Sequence, residues 1–248
     1  MSSLVRAELL KVRTTRGWWG YLIAIVLLVG LGVAGDIGSN AEIRALRDFQ
    51  VDLIEAAGFG AVLALILGIT MVTTEFRHGT ITPTFLAEPR RERVLATKAS
   101  AGTLVFLFFA VLALLVVAAV ALTWLSITGD EIHFFNGEVG KRAAQTLLGA
   151  VLWGLLGVAI GSIVQGQVAA LVGTLVWIFV VENLLVGLLG LLDSDGVAEY
   201  LPFRALDAAD GTGGDNLLSY WPGVAVSIGW IVVLGAAGVW RTSRRDIT

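Results

Sequence analysis

Apolar residues are gathered into six long runs, and short polar stretches separate them. The runs cover residues 17–35, 56–74, 99–128, 143–164, 168–192 and 223–240. Each run approaches or exceeds the roughly 20 residues that a helix needs to cross the hydrocarbon of a bilayer. None shows the alternation of apolar and polar residues that marks the strands of a membrane barrel. The pattern therefore predicts an all-α membrane protein with six transmembrane helices in a single domain, residues 1–248.

Composition agrees with this interpretation, because only 15% of the 248 residues are charged and 56% are hydrophobic. A soluble domain carries about 25% charged residues. The chain has no cysteine, which excludes disulfides and thiolate metal sites. We expect neither a catalytic nor a metal site.

The basic residues predict how the chain is oriented. Twelve of the 17 lysines and arginines lie in residues 1–16, 75–98 and 241–248. Cytoplasmic loops are enriched in such residues, so we expect a multi-pass protein of the plasma membrane with both termini in the cytoplasm. Residues 193–222 then form a long acidic extracellular loop. The stretch around Pro202 predicts a short helix that either dips towards the bilayer or forms an amphipathic lid on the surface. Residues 36–55 predict a further interfacial helix.

The N-terminal segment, residues 1–16, has an apolar face and several basic residues away from it. Such a pattern favours a helix lying in the membrane interface, with Trp18 and Trp19 anchoring the turn into the bilayer. The alternative is an ordinary basic flank that only sets the topology. The apolar face consists of Leu4, Val5, Leu9 and Val12.

The most polar stretch between two apolar runs is residues 73–98, TTEFRHGTITPTFLAEPRRERVLATK. Gly79 breaks the helix that leaves the second run, and Pro89 forces a corner. The segment between them predicts a helix of one or two turns with apolar Ile81, Phe85 and Leu86. Exposed apolar residues favour a docking surface. The alternative is a solvated loop whose arginines only obey the positive-inside rule.

This layout resembles the type-2 family of ABC-exporter permeases over essentially the whole chain. The shared pattern is Glu-x3-Gly-Thr…Pro-x-Arg…Lys between spans two and three, after an N-terminal interfacial helix. In that family the loop, here 75–98, is a coupling helix seated in a groove of a separate ATPase subunit. The corner at residues 90–93 is more basic here than is usual in the family. The ATPase-coupling residues that the resemblance implies are Glu75, Gly79, Thr80, Ile81, Phe85, Leu86, Pro89, Arg90, Arg91 and Lys98.

The resemblance also implies partners and cargo. Two permease subunits, identical or different, would assemble with two ATPase subunits and export a hydrophobic or amphipathic compound such as a drug, peptide or lipid. The chain has no G-x-x-x-x-G-K-[ST] motif. ATP and Mg²⁺ are therefore expected in the partner ATPase and no cofactor in this chain, which is not itself an enzyme. No nucleic-acid partner is expected.

Glu182 is the one acidic residue inside an apolar run. Carboxylates within a membrane are costly and face a bundle interior, a cavity or a partner. Three interpretations stay open: a structural hydrogen bond at a helix or subunit interface, a place on the translocation path, or a proton carrier. We expect the structural role, with Glu182 pairing across a subunit interface beside Asn183 of the other copy. Trp177 and Phe179 join these two residues as candidates for the path or the interface.

Two other classes of protein remain as alternatives. A self-sufficient secondary transporter would be expected to show internal symmetry and several intramembrane polar sites. A membrane-embedded enzyme would need a cluster of catalytic residues, whereas His78 and His133 lie in loops on opposite sides. Finally, Gly157 and Gly161 form a G-x-x-x-G pattern that predicts close helix packing.

Overall fold

The computed structural model describes residues 2–15, 17–134, 136–192, 195–211 and 217–243. Three of the basic residues used to predict orientation, Arg16, Arg244 and Arg245, and parts of the loop 193–222 lie outside these ranges. Every regular element of the described chain is helical. The elements are α1 (Ser2–Thr14), α2 (Gly17–Ser39), α3 (Arg47–Asp52), α4 (Gly58–Arg77), α5 (Ile81–Ala87), α6 (Arg91–Thr128), α7 (Gly137–Ile163), α8 (Gln167–Val176), α9 (Glu182–Leu191), α10 (Asp195–Ala198), α11 (Pro202–Ala209) and α12 (Tyr220–Ser243).

Six helical stretches of the described chain are long and apolar enough to cross a membrane, which confirms the predicted number. Two of them are irregular. The second stretch runs from Arg47 to Arg77 through a 3-10 turn at Leu53–Ala57, which joins α3 to α4. Half of the stretch predicted as a separate interfacial helix therefore continues into the second span. The fifth contains a π-helical turn at Trp177–Val181 between α8 and α9.

The second and fourth spans, α4 and α7, pack more closely than any other pair. Glycines permit this approach: a Cβ on Gly157 would collide with the carbonyl oxygen of Leu65, and one on Gly68 with that of Gly154. A Cβ on Gly161 would also lie close to the backbone of α4, 2.9 Å from the carbonyl oxygen of Ile69. Small residues allow helix backbones to approach in this way. The packing predicted from the G-x-x-x-G pattern is confirmed.

Around this central pair the other spans are unequally buried. The helix α6 packs against α2, α4 and α7, whereas α2, the fifth span and α12 expose most of their apolar side chains. In a bilayer, hydrocarbon or a neighbouring helix covers such surfaces. The spans therefore form a tight centre of α4, α6 and α7 with a more exposed rim.

Polar contacts close the end of the bundle away from α1. Gln50 is fully buried: its amide nitrogen donates to the carbonyl oxygens of Arg44 and Glu131, and its amide oxygen accepts from the backbone N–H of His133. The guanidinium of Arg44 pairs with Asp130 at 2.6 Å. These contacts fix the connection between α6 and α7. Here α11 lies buried against α7 and α12 rather than on the surface.

Candidate functional site

Four charged residues meet at the end of the bundle that carries α1, which we call the N-terminal end. Lys98 Nζ lies 2.9 Å from Glu8 Oε2 and 2.7 Å from Glu75 Oε1. Lys11 Nζ lies 2.6 Å from Glu8 Oε1 and 2.8 Å from the same Glu75 oxygen. Two ammonium groups and two carboxylates thus alternate in a closed ring, the four-residue network. It joins α1 to the last turn of α4 and to the third turn of α6.

Burial makes this network different from a surface ion pair. Lys98 is 2% exposed, Glu75 6% and Glu8 7%. Breaking a buried pair by removing one partner costs about 3–5 kcal/mol, because the remaining charge is left uncompensated. Burial alone would raise the pKa of Glu8, but Lys98 and Lys11 together hold that pKa below its usual value. The pKa of Lys11 is raised, since its bonds to Glu75 and Glu8 outweigh its partial burial.

Two of the coupling residues that the resemblance implies belong to this network. The structure turns the side chains of Glu75 and Lys98 into the protein, against α1. In this position they hold the base of the loop that follows Glu75 and precedes Lys98. Sequence reasoning missed Glu8, the one acidic residue of the N-terminal segment, and took Lys11 only as a basic flank. The spacing of Glu8 and Lys11, three positions apart on one helix, could have indicated an ion pair.

The loop between α4 and α6 is compact. The backbone of Gly79 has φ +68°, a conformation that favours glycine, and it ends the turn after α4. Thr80 precedes α5 and is exposed. After α5, Pro89 and Arg90 form an exposed corner from which α6 begins. The short helix between two breakers is therefore present where the sequence predicted it.

The sequence predicted that the apolar residues of α5 would all be exposed, and the structure differs from this prediction. Phe85 is 8% exposed, and the guanidinium of Arg91 lies 5.1 Å from the centre of its ring. Ile81 is half-buried and lines the same small cavity as Phe85. Leu86, in contrast, is 74% exposed. The prediction of three exposed apolar residues is therefore wrong for Phe85, which holds α5 against α6, and holds for Leu86.

Glu182 occupies a second polar site, in the fifth span. It is 4% exposed, and its carboxylate accepts hydrogen bonds from the backbone N–H groups of Arg204 at 2.8 Å and Phe203 at 3.4 Å. The indole N–H of Trp177 donates to it at 3.1 Å. The two backbone donors belong to the first turn of α11, where N–H groups lack partners within the helix. Glu182 thus caps α11 from another helix.

The π-helical turn explains this geometry. One extra residue per turn at Trp177–Val181 brings Trp177 and Glu182 to the same side, five positions apart. The side-chain amide of Asn183 donates to the carbonyl oxygens of Ile178 and Phe179 in the same turn. The side-chain hydrogen bonds of Asn183 therefore stay within its own span.

Of the expected path or interface residues, Trp177 contacts Glu182, and Asn183 contacts the carbonyl oxygen of Phe179. Glu182 is buried, and the hydrogen bonds of its carboxylate lie within its own chain. The structure thus shows a structural role that joins helices of one chain, and the bond across a subunit interface stays a prediction. Asn183, Trp177 and Phe179 do lie on the exposed side of the span. No three metal-ligating residues of the described ranges converge on a point that could hold a metal ion.

The architecture defines a multi-pass, all-helical membrane protein with six spans. The sequence profile of the family described as "Protein of unknown function (DUF2705)" matches residues 37–248, and the chain belongs to that family. No curated protein sequence matches it.

Proposed function

We propose that this chain is the transmembrane subunit of an ATP-driven ABC exporter that works with a separate ATPase. The observation that supports this proposal best is the four-residue network beneath the loop 78–90. A loop that only connects two spans needs no such attachment. A loop that receives force needs one, because a compliant base would absorb the movement.

The described contacts suggest how movement would travel. An ATPase that binds the exposed corner would contact Leu86, Pro89 and Arg90. Phe85 packs against α6 beside Arg91, so displacement of α5 is passed to α6. The network passes it on to α1 and α4 through Glu8 and Glu75. The last turn of α4 and the first turns of α6 then move with α5 as one body.

The partners follow from the same arrangement. The loop and the basic termini lie in the cytoplasm, where the ATPase hydrolyses ATP, and the protein resides in the plasma membrane. Two permease subunits place their exposed spans against each other and enclose a path for a hydrophobic or amphipathic compound. Trp177 and Phe179 lie on the exposed side of the fifth span. In this arrangement they would line the path.

Reconstitution tests this function. The chain is purified from its native membrane with whatever ATPase accompanies it, and both are placed in proteoliposomes with a panel of amphipathic compounds. We expect movement of at least one compound only when ATP, Mg²⁺ and the ATPase are all present on the side of the N-terminus. Transport by the chain alone, driven by an ion gradient, would identify a secondary transporter instead.

A further inference from the structure

The short helix α11 is enclosed at the end of the bundle opposite the network. It packs against α7 and α12, and Phe203, Leu206 and Ala209 are each at most 5% exposed. With eight residues it is too short to cross a bilayer. Its contact with α12 is close, because a Cβ on Gly223 would lie 2.7 Å from the Cβ of Ala208. The helix α11 is therefore docked between two spans without being a span itself.

Two open cavities border α11. One, of about 450 Å³, lies between α4, α9 and α11, and the other, of about 420 Å³, lies between α7, α8 and α12. Phe203 of α11 lines both of them. Departure of α11 would take this side chain out of both walls. The position of α11 therefore controls access to the cavities at this end of the bundle.

The residue that ends α11 places its carboxyl group against the backbone of α7. Asp210 directly follows Ala209 and is 6% exposed. It fills the space that a side chain at position 149 would occupy: a Cβ on Gly149 would lie 2.9 Å from the Cα of Asp210 and would collide with its carboxyl group. Within the described ranges, Oδ1 of Asp210 has no hydrogen-bond partner and is closed to water.

Such a position suits a neutral carboxylic acid and disfavours a carboxylate. An isolated ionised carboxylate is costly to bury, so the group shifts its pKa and becomes neutral instead. Burial raises the pKa of Asp210 to about 8; the carboxylate of Asp207 adds to this rise and Arg142 opposes it. The guanidinium of Arg142 is already paired with Glu55. Asp210 therefore carries a proton at neutral pH.

The charged and titratable groups around Asp210 come from every neighbouring element. They are Asp207 and Arg204 on α11, Glu55 beside α4, Arg142 on α7, Glu182 on α9 and Tyr220 on α12. Burial and the charge of Glu182 raise the pKa of Asp207 to about 6, and Arg204 opposes this rise. Asp207 is therefore largely ionised at neutral pH. Loss of the proton from Asp210 would put two carboxylates into one buried turn.

We propose that Asp210 makes the docking of α11 sensitive to pH: the helix stays between α7 and α12 while Asp210 holds its proton, and it is released when the proton is lost. The pKa of this group has its ordinary value of 3.8 when α11 is released and is raised when α11 is docked. Its contribution to docking is therefore fully present below 3.8 and is lost as pH rises through the docked value of about 8. The device is formed by one chain and does not rest on the proposed function.

Hydrogen exchange of the purified chain in nonionic detergent tests the device. Protection of the α11 amides, relative to the intrinsic exchange rate at each pH, is compared with protection of the α7 amides. We expect the α11 amides to lose about tenfold of their protection between pH 7 and 9, because the docking equilibrium shifts about tenfold per pH unit up to the docked pKa of about 8 and no further. The α7 amides should keep their protection, since only α11 is released.

Three variants identify the group responsible. Asp210→Asn keeps the shape of the side chain but cannot ionise, so protection of α11 should change by less than about twofold over the same pH range. Asp52→Asn is the matched control, because it removes an exposed acid outside α11 and should leave the loss of protection unchanged. If Asp210→Asn does not fold, Asp207→Asn replaces it. The carboxylate of Asp207 raises the pKa of Asp210, so its removal should move the pH at which the loss levels off to a lower value.

Three results would overturn the proposal. The first is constant protection of α11 in the parent chain over this pH range. The second is an undiminished loss in Asp210→Asn or, where that variant does not fold, an unshifted curve in Asp207→Asn. The third is a parallel loss of protection in α7, which would mean that the whole bundle opens. None of these results concerns the ATPase, so the device and the proposed function can fail separately.

Discussion

The Nζ atom of Lys98 donates to Oε2 of Glu8 over 2.9 Å, although 90 positions of the chain separate the two residues. Lys98 lies in the third turn of α6 and Glu8 in the middle of α1. Their contact attaches the N-terminal helix to the base of the loop that precedes α6. It also places a full ammonium group in the interior, where it is stable only because Glu8 and Glu75 both neutralise it.

Removal of that ammonium should be strongly destabilising. We expect Lys98→Met to lower the free energy of unfolding by about 3–5 kcal/mol, because two buried carboxylates lose their shared partner. Thermal unfolding in detergent measures the loss. Arg93→Met is the matched control, since the pair formed by Arg93 and Glu88 is half exposed and 3.7 Å long; its loss should cost less than about 1 kcal/mol. Equal effects of the two variants would contradict the importance of the network.

Attachment of α1 should depend on pH at both extremes. Glu8 has a lowered pKa in the folded chain, so its contribution is present above its ordinary value of 4.5 and is lost as pH falls through the folded value. Lys11 has a raised pKa, so its contribution is present below 10.5 and is lost as pH rises through the folded value. Relative to the intrinsic exchange rate at each pH, the amides in α1 should be most protected between these limits and less protected outside them. If α1 in Glu8→Gln still lost protection at low pH as in the parent chain, Glu8 would not be the group responsible for the acid dependence.

The cap on α11 gives a prediction for Glu182. Leucine at this position leaves the N–H groups of Phe203 and Arg204 without an acceptor, whereas glutamine keeps one acceptor oxygen and turns an NH₂ group towards donors. We expect hydrogen exchange at these two amides to accelerate more than about tenfold in Glu182→Leu, since a lost bond to a charged group costs about 1.5–3 kcal/mol. Glu182→Gln should be intermediate, and Glu199→Gln, which leaves the cap intact, should have no effect. A proton carrier would instead lose transport in Glu182→Gln while exchange stayed slow.

The contact between α4 and α7 can be tested with two glycines. Gly157→Ala forces a Cβ against the carbonyl oxygen of Leu65 and should destabilise the chain by about 1–3 kcal/mol, the usual cost of overpacking. Gly173→Ala provides the control, because no atom outside its own helix lies within 4 Å of the added Cβ. Thermal unfolding should separate the two variants clearly. Equal midpoints would mean that α4 and α7 are not in tight contact.

Long apolar runs made the spans predictable from the sequence, whereas the direction of individual side chains was not predictable. The six runs follow from hydropathy, and Gly157 with Gly161 marked a close contact without revealing its partner helix. Phe85 and Leu86 are neighbours on a helix of two turns, and no sequence pattern tells which of them faces α6. Glu75 and Lys98 resembled surface residues because their counter-charges come from α1, far away in the chain. The cap on Phe203 and Arg204 depends on a π-helical turn that composition does not signal.

The contrast between Phe85 and Leu86 yields a pair of variants. Leu86→Asp places a carboxylate on an exposed position, so the chain should fold normally, but it should lose the ATPase because docking would bury an unpaired charge. Phe85→Asp buries a carboxylate against α6 and should lower the unfolding temperature as well. Co-purification of the ATPase and thermal unfolding of each variant distinguish the two effects. Retained ATPase in Leu86→Asp would return the loop to a purely topological role.

The most direct measurement of ATPase coupling is a cross-link from position 86. Because the chain has no cysteine, Leu86→Cys is the sole thiol and can be joined to neighbouring proteins in native membranes. We predict a single major product with a protein that contains a G-x-x-x-x-G-K-[ST] motif and hydrolyses ATP, and none from Glu131→Cys at the opposite end of the bundle. A Leu86→Cys chain that remains uncross-linked, or that joins only proteins without ATPase activity, would contradict the account.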